Sequence, residues 1–285
     1  MSVGSKLAGV VGWPVAHSLS PLLHRYWLEE HGIRGDYIAL SLESSTFSVG
    51  LAFLQRVGFV GVNVTVPYKE AAFALAHHID DAARLCGAVN LILFHAGGQI
   101  EGRNTDVAGL RASLAEEFEE ECLKGNIAVI LGAGGAARAA VLALDRLGVS
   151  EIRILSRNLS RARRLEEEMH RGVRARLNAT GWPEWATAAK DASILLNATN
   201  AGMADRSFAL DLSLDQLPQS AAVYDLVYNP LKTGLLTDAQ ARGHRAVNGL
   251  GMLMHQAVPA FAAFYGVTPA VTPALRARLE KALAP

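Results

Sequence analysis

The run Ile127-Ala-Val-Ile-Leu-Gly-Ala-Gly-Gly-Ala-Ala-Arg138 constrains this chain most. An apolar, β-branched stretch enters a turn patterned G-x-G-x-x-A, with Gly132, Gly134 and Ala137 at its fixed places, and leaves into a helical pattern from Ala139 to Leu147. Strand, glycine turn and helix in that order suit a dinucleotide. Gly132 permits the tight turn, Gly134 admits a pyrophosphate to the backbone, and small Ala137 lets helix and strand pack closely, with the phosphates on the helix N-terminus. Glycine-rich turns also close ordinary strand-helix joints, so the flanks carry the reading.

The next strand selects the nucleotide. Glu151-Ile-Arg-Ile-Leu-Ser156 ends about 25 residues after the first glycine, where an NAD-binding chain places an acid for the ribose 2'-hydroxyl. No acid follows. The chain reads Ser156-Arg157-Asn158-Leu159-Ser160-Arg161, two arginines spaced to clamp a 2'-phosphate with planar, charge-assisted forks. NADP is therefore expected as cofactor, with Arg157 at the strand tip. Arg163 and Arg164 read as the solvated face of a helix balanced by Glu166 to Glu168.

A length of 285 residues favours two domains over one core. Lys+Arg and Asp+Glu both number 27, so no basic field exists to collect nucleic acid or an anionic membrane, and a small-molecule partner is expected. Cys86 and Cys122 show no metal or redox spacing. The apolar stretch from Leu7 to Val11 is cut short of a signal h-region by Pro14 and His17, and no segment has the roughly 18 apolar residues a membrane span needs. These features fit a soluble, cytoplasmic protein, monomer or homodimer.

Residues 6–12, 37–42 and 59–65 have strand patterns, and 22–31 and 47–57 helical ones, giving a βαβαβ order that favours a parallel, helix-covered sheet. Val89 to Phe94 and Gln99 to Gly102 look like a hairpin on its edge. A surface helix is expected from Leu110 to Leu123, carrying the acidic run Glu116 to Glu121. Strands near Ile127, Ile152, Arg174, Ile194 and Val223 follow, then a long apolar helix, Met252 to Phe264, and a terminal helix from Pro273. The expected fold is α/β in two domains. An N-terminal substrate and catalytic domain covers 1–110, a C-terminal Rossmann-type nucleotide domain covers 111–248, and helices in 249–285 return to the first.

Nine histidines include no H-x-x-x-H pair with an acid, and His77-His78 are expected to point apart on a helix, so no metal site is expected. Hydride chemistry needs no metal, but reducing a ketone requires a proton donor near its oxygen. Asn63-Val-Thr-Val-Pro-Tyr-Lys69 puts polar groups at the carboxyl end of a strand, where open α/β sheets bind ligands. Lys69 would serve as acid or base where partial burial and a neighbouring positive charge lower its pKa, or be plain surface charge opening a helix. Only six of the 27 basic residues are lysines, which weakens the surface reading. Asp106, in Glu101-Gly-Arg-Asn-Thr-Asp106, would orient Lys69 or substrate, or cap the helix that follows.

Together these motifs resemble the shikimate dehydrogenase family over nearly the whole chain. Gly12-Trp-Pro-Val-Ala-His-Ser-Leu-Ser-Pro21 is similar to that family's serine pair, which implies that Ser18 and Ser20 bond the substrate carboxylate. Asn63 to Lys69 resembles N-V-T-x-P-x-K, implying that Thr65 contacts substrate and Lys69 transfers the proton. Gly87-Ala-Val-Asn90 and Gly102-Arg-Asn-Thr-Asp106 imply contacts of Asn90 and Asp106 with ring hydroxyls. Asn197-Ala-Thr-Asn-Ala-Gly-Met203 resembles the segment beside the cofactor, with Asn200 where the family has serine. Asp225-Leu-Val-Tyr-Asn-Pro-Leu-Lys-Thr233 is similar to D-x-x-Y-x-P-x-x-T, placing Leu226 near nicotinamide and Tyr228 near substrate. Gly249-Leu-Gly-Met-Leu-Met-His-Gln256 implies a nicotinamide contact at Gly249 and a substrate contact at Gln256.

The resemblance thus implies NADPH-dependent interconversion of 3-dehydroshikimate and shikimate in aromatic amino-acid biosynthesis. The expected cofactor contacts are Gly132, Ala133, Gly134, Gly135, Ala136, Ser156, Arg157, Asn158, Arg161, Thr199, Leu226 and Gly249. The rivals are a paralogue that oxidises quinate, and a non-catalytic NADP-linked binding protein.

Overall fold

Alternating strand and helix patterns give parallel pairing among the first three strands and again from Ile127 onward. The computed structural model describes residues 5–203, 210 and 212–284. In chain order the first stretch contains β1 (Lys6–Gly12), α1 (Ser20–Glu30), β2 (Gly35–Ser41), α2 (Phe47–Arg56) and β3 (Phe59–Val64). It continues through α3 (Lys69–Leu75), β4 (His78–Ile79), α4 (Asp81–Cys86), β5 (Leu91–Phe94) and β6 (Ile100–Arg103). Next come α5 (Asp106–Glu117), α6 (Glu120–Leu123), β7 (Ile127–Leu131), α7 (Gly135–Arg146), β8 (Glu151–Ser156), α8 (Leu159–Met169) and β9 (Arg176–Gly181). Then follow α9 (Trp185–Ala189), β10 (Ala192–Asn197), β11 (Ala222–Asp225), α10 (Gly234–Ala241), β12 (Ala246–Val247), α11 (Leu250–Tyr265) and α12 (Pro273–Leu283).

The chain divides into two compact units, one reaching Asp106 and including Leu253–Ala284, the other covering Val107–Met252. The divisions expected at 110/111 and 248/249 sit a few residues from these points, because both observed divisions fall inside helices, α5 and α11.

Among the described residues the first unit holds a sheet in the order β2-β1-β3-β5-β6-β4. β2, β1 and β3 are parallel, while β5 and β6 form the antiparallel hairpin. That hairpin is not the edge: β4 pairs outside β6, in parallel. His77 and His78 therefore do not share a helix. α3 stops at Leu75, and His77 sits in the bend before β4, where its N–H donates to the Ile100 carbonyl (2.8 Å) and its Nδ1 accepts from the Ile100 N–H (3.0 Å). β1 is buried from Ala8 onward, which an apolar strand flanked on both sides requires. The returning segment is fixed to this unit by hydrogen bonds from Trp27 Nε1 to the Ala270 carbonyl (3.1 Å) and from the Tyr265 hydroxyl to the Asp36 carbonyl (2.9 Å).

The second unit is a parallel sheet in the order β12-β11-β10-β7-β8-β9, the doubly wound arrangement expected of a nucleotide domain. β12, too short to leave a pattern, was not foreseen. The expected helix 110–123 is two, since α5 stops at Glu117 and α6 restarts at Glu120. Ala137 is fully buried, as close packing of helix on strand demands.

His24 is the conspicuous polar group of the first core. It is fully buried, stacks on Tyr37 at 3.9 Å, and has Trp27, Phe261 and Phe264 around it. Neither ring nitrogen has a hydrogen-bond partner among the described residues, and burial pulls its pKa from 6.5 down to about 3. The unfolded chain takes up a proton below pH 6.5 that the folded chain refuses until near pH 3, so this stability is full above 6.5 and is lost on acidification. Lowering the pH from 7 to 5 should cost about 2 kcal/mol through this one group, read as the urea midpoint. His24→Phe should flatten that slope; parallel slopes for the two proteins would show that another group is responsible.

Candidate active site

Strand direction decides where the polar residues of the first unit gather. β1 and β3 end side by side, with Val11 opposite Val64. β5 runs the other way, so its start lies at the same edge, Leu91 opposite Asn63, and β6 returns to finish there, Arg103 opposite Leu91. Ser18, Ser20, Thr65, Lys69, Asn90 and Asp106 all lie on the segments that leave or enter that edge.

Lys69 is the first residue of α3, and its Nζ donates to Asp106 Oδ2 at 2.5 Å, with side-chain exposures of only 17% and 6%. The hydrogen-bond partner of the ammonium is thus the Asp106 carboxylate, which the sequence left free to orient either Lys69 or the substrate. Asp106 Oδ1 accepts from Asn90 Nδ2 at 2.8 Å. Asp106 is itself the first residue of α5, with its carboxylate engaged by Lys69 and Asn90; its N–H donates to Asn104 Oδ1 at 3.0 Å. Asn90 is buried, accepts from the Thr105 N–H at 2.7 Å, and reaches Thr105 Oγ1 at 2.9 Å. Gln256, on α11, joins through its Oε1, 3.3 Å from Thr105 Oγ1 and 3.5 Å from Asn90 Nδ2.

Asn63 and Tyr37 brace this group from behind. Asn63 Nδ2 donates to the Asn90 carbonyl at 3.0 Å, and the Tyr37 hydroxyl donates to Asn63 Oδ1 at 2.8 Å. Thr65 sits against Gly12, where a Cβ would stand 2.4 Å from Thr65 Cγ2, so glycine is needed for that approach. Ser18 Oγ accepts from the Ser20 N–H at 3.2 Å, and Ser20 opens α1 one residue ahead of Pro21. Tyr228, the remaining substrate candidate, belongs to the second unit.

In the second unit the carboxyl ends of β7, β8, β9 and β10 surround one pocket. Gly132, Ala133, Gly134, Ser156, Arg157, Asn158, Arg161 and Thr199 line it, together with Trp182. Gly132 has φ of +107°, and a Cβ there would stand 3.0 Å from Thr199 Cγ2, so the turn requires glycine. A Cβ on Gly134 would meet nothing within 4 Å, leaving open space before its backbone. Among the described residues no side chain caps α7, whose first turn is Gly135, Ala136 and Ala137, while α8, which follows the next strand, is capped by Asn158. An uncapped helix N-terminus facing open space, with two arginines alongside, suits a phosphorylated dinucleotide. Asn158 also serves the backbone, since its Oδ1 accepts from the Arg161 N–H at 3.1 Å and caps α8.

Asp225 governs the neighbouring loop. Fully buried, it accepts from Asn197 Nδ2 (2.8 Å), the Val227 N–H (3.0 Å) and Thr233 Oγ1 (2.7 Å), and burial pushes its pKa up to about 6. Asn197 Oδ1 in turn accepts from the N–H and Oγ1 of Thr199, at 3.0 and 2.7 Å. The pocket wall and the Leu226 loop therefore share one anchor. Leu226 is held by its N–H on the Asn197 carbonyl (3.0 Å), and the Gly249 N–H donates to the Val227 carbonyl (3.1 Å).

Asn63, Asn197, Asp225 and Thr233 lie inside the sequence motifs but have roles only in the fold, and Tyr37 and Trp182 carry no motif at all. A polar residue buried at a strand end is visible only once the strand's neighbours are known. Among the described residues, no cluster of three or more His, Cys, Asp or Glu is arranged to hold a metal, and no helix is long and apolar enough to cross a membrane.

Comparison with known proteins decides the family. Residues 10–92 match the shikimate dehydrogenase substrate binding domain, and residues 113–204 match the shikimate / quinate 5-dehydrogenase model. A relative from Paramagnetospirillum magneticum, named shikimate dehydrogenase (NADP(+)), is 45% identical over 277 residues, 97% of this chain and 99% of its own. The chain belongs to the shikimate dehydrogenase family. A shikimate dehydrogenase crystallised with NADP+ superposes with a TM-score of 0.87 at 31% identity, covering 99% of this chain and 96% of its own. The Thermus thermophilus shikimate 5-dehydrogenase in complex with NADP(H) and shikimate gives 0.82 at 36% identity, covering 98% of each chain.

Gly249 supplies a test of the Leu226 anchor. A Cβ there would stand 2.0 Å from the Leu226 carbonyl oxygen, which is backbone and cannot step aside. Gly249→Ala should lower the unfolding free energy by about 1–3 kcal/mol in urea titrations, the usual cost of overpacking. An unchanged midpoint would mean that the 226–228 loop yields freely.

Proposed function

We propose that the protein catalyses the reversible, NADPH-dependent reduction of 3-dehydroshikimate to shikimate, a cytoplasmic step of aromatic amino-acid biosynthesis. The observation that carries this reading is the Lys69–Asp106 pair, an ammonium and a carboxylate held at 2.5 Å at the ligand-binding edge of an α/β sheet. NADPH, when bound, supplies the hydride to the substrate carbonyl carbon. Lys69 gives a proton to the carbonyl oxygen as it becomes a hydroxyl, and takes it back in the oxidative direction. Asp106 and Asn90 fix the ammonium, Ser18 and Ser20 hold the substrate carboxylate, and Thr65, Asn90, Gln256 and Tyr228 meet the rest of the substrate. Arg157 and Arg161 take the 2'-phosphate, while Gly132 to Ala136 cradle the pyrophosphate and Leu226 and Gly249 flank the nicotinamide.

Quinate is the second substrate to weigh, because the model matched by residues 113–204 is named for both acids. The serine pair 18 and 20 favours shikimate. Initial rates with shikimate and with quinate, each with NADP+ and NAD+, decide between them, and NADPH formation from shikimate excludes a non-catalytic binding protein.

Lys69→Ala should lower kcat by about 10²–10⁴-fold while changing the shikimate KM far less, since proton transfer is a transition-state contribution. A variant retaining most of its turnover would refute the role. Arg157→Ala should raise the KM for NADP+ by about tenfold or more and leave that for NAD+ nearly unchanged, as expected for a charge-assisted bond to a phosphate. Equal losses with both cofactors would mark Arg157 as structural.

A further inference from the structure

The glycine-turn pocket has one wall that no motif foretold. Trp182 directly follows β9, just as Gly132 follows β7, Ser156 ends β8 and Thr199 lies beyond β10. It is the aromatic member of the lining; its companions are glycine, alanine, serine, asparagine, threonine and two arginines. Those residues match phosphates and sugar hydroxyls, and among them only the arginine planes could also lie against a base; Trp182 adds the one apolar aromatic face of the lining. Trp182 is half-buried, opens the short turn Trp182–Glu184 with Pro183 next to it, and packs against the core that includes Trp185 and Leu214. A half-buried ring supported by the core, held at a turn that contains proline and lining a pocket that two arginines also line, is a platform and not a loose surface residue.

We propose that Trp182 is the stacking surface for the adenine ring of the cofactor, working beside Arg157 and Arg161, which take the adenosine 2'-phosphate. This rests on the reading of the pocket as an NADP site. It adds a separation of roles: the arginines distinguish NADP from NAD, whereas Trp182 grips the base that both cofactors share. Stacking of a base on an aromatic side chain is worth about 1–3 kcal/mol by substitution, or roughly 5- to 150-fold in affinity.

The test uses adenosine 2',5'-bisphosphate, which carries the base and the 2'-phosphate but no nicotinamide, with binding to the full chain followed by calorimetry. Trp182→Leu keeps an apolar side chain against the core and removes the aromatic face, and should weaken binding at least about fivefold. Trp182→Phe should stay within about threefold. In steady state, Trp182→Leu should raise the KM for NADP+ and NAD+ by similar factors, unlike the NADP-selective Arg157→Ala. Should the leucine variant fold poorly, fluorescence gives an independent readout. The bisphosphate should quench emission of the wild-type protein and leave that of Trp182→Phe, which retains Trp13, Trp27 and Trp185, unaltered.

Leucine and wild-type proteins binding the bisphosphate equally, or quenching that persists in Trp182→Phe, would overturn the stacking role while leaving the NADP reading intact. A wild-type protein that fails to bind the bisphosphate would overturn both.

Discussion

The Asp106 carboxylate is the point on which the first unit's site depends. It accepts from Lys69 Nζ at 2.5 Å and from Asn90 Nδ2 at 2.8 Å, in a setting nearly closed to water. Burying two charges is costly unless each is well hydrogen-bonded, and removing one partner strands the other, typically at about 3–5 kcal/mol. The same carboxylate thus fixes the ammonium in place and makes that arrangement sensitive to any change nearby. Tyr37 and Asn63 extend the brace into the core, through hydrogen bonds that end on the Asn90 backbone. Below them the aromatic core around His24, which stacks on Tyr37, is apolar enough that the imidazole stays neutral well into the acid range.

The second unit applies the same strand-end geometry to a different ligand chemistry. Its pocket is made of backbone amides, a helix N-terminus without a side-chain cap, and two arginines, all means of meeting negative charge. The buried Asp225, joined to Asn197, Thr233 and Val227, ties the pocket wall at Thr199 to the loop carrying Leu226. Its raised pKa reflects desolvation that three hydrogen bonds only partly offset. Asn158 shows how economical the strand tip is, since it lines the pocket and caps α8 at once.

Much of this was legible in the chain. The glycine turn, the missing acid after β8 and the arginines that replace it named the cofactor class, because short-range backbone sterics and charge write themselves into adjacent residues. Helix and strand periods located the main elements, and the ordered motifs pointed to Lys69 and Asp106. Short elements escaped: β4 and β12, two residues each, have no period to detect, and their absence from the reading misplaced His77 and put the hairpin at an edge it does not occupy.

What the sequence determined by itself was therefore local: the turn that admits a pyrophosphate, the identity of the charged groups, and the order of strands and helices. Only the tertiary structure decided that residues 63, 69, 90, 106 and 256 join one hydrogen-bonded group, that Asp106 bonds Lys69 directly, and that Trp182 lines the same pocket as the glycine turn. Those outcomes follow from which strands pair and in which direction. Pairing is set by long-range burial of apolar faces, and no window of neighbouring residues contains it.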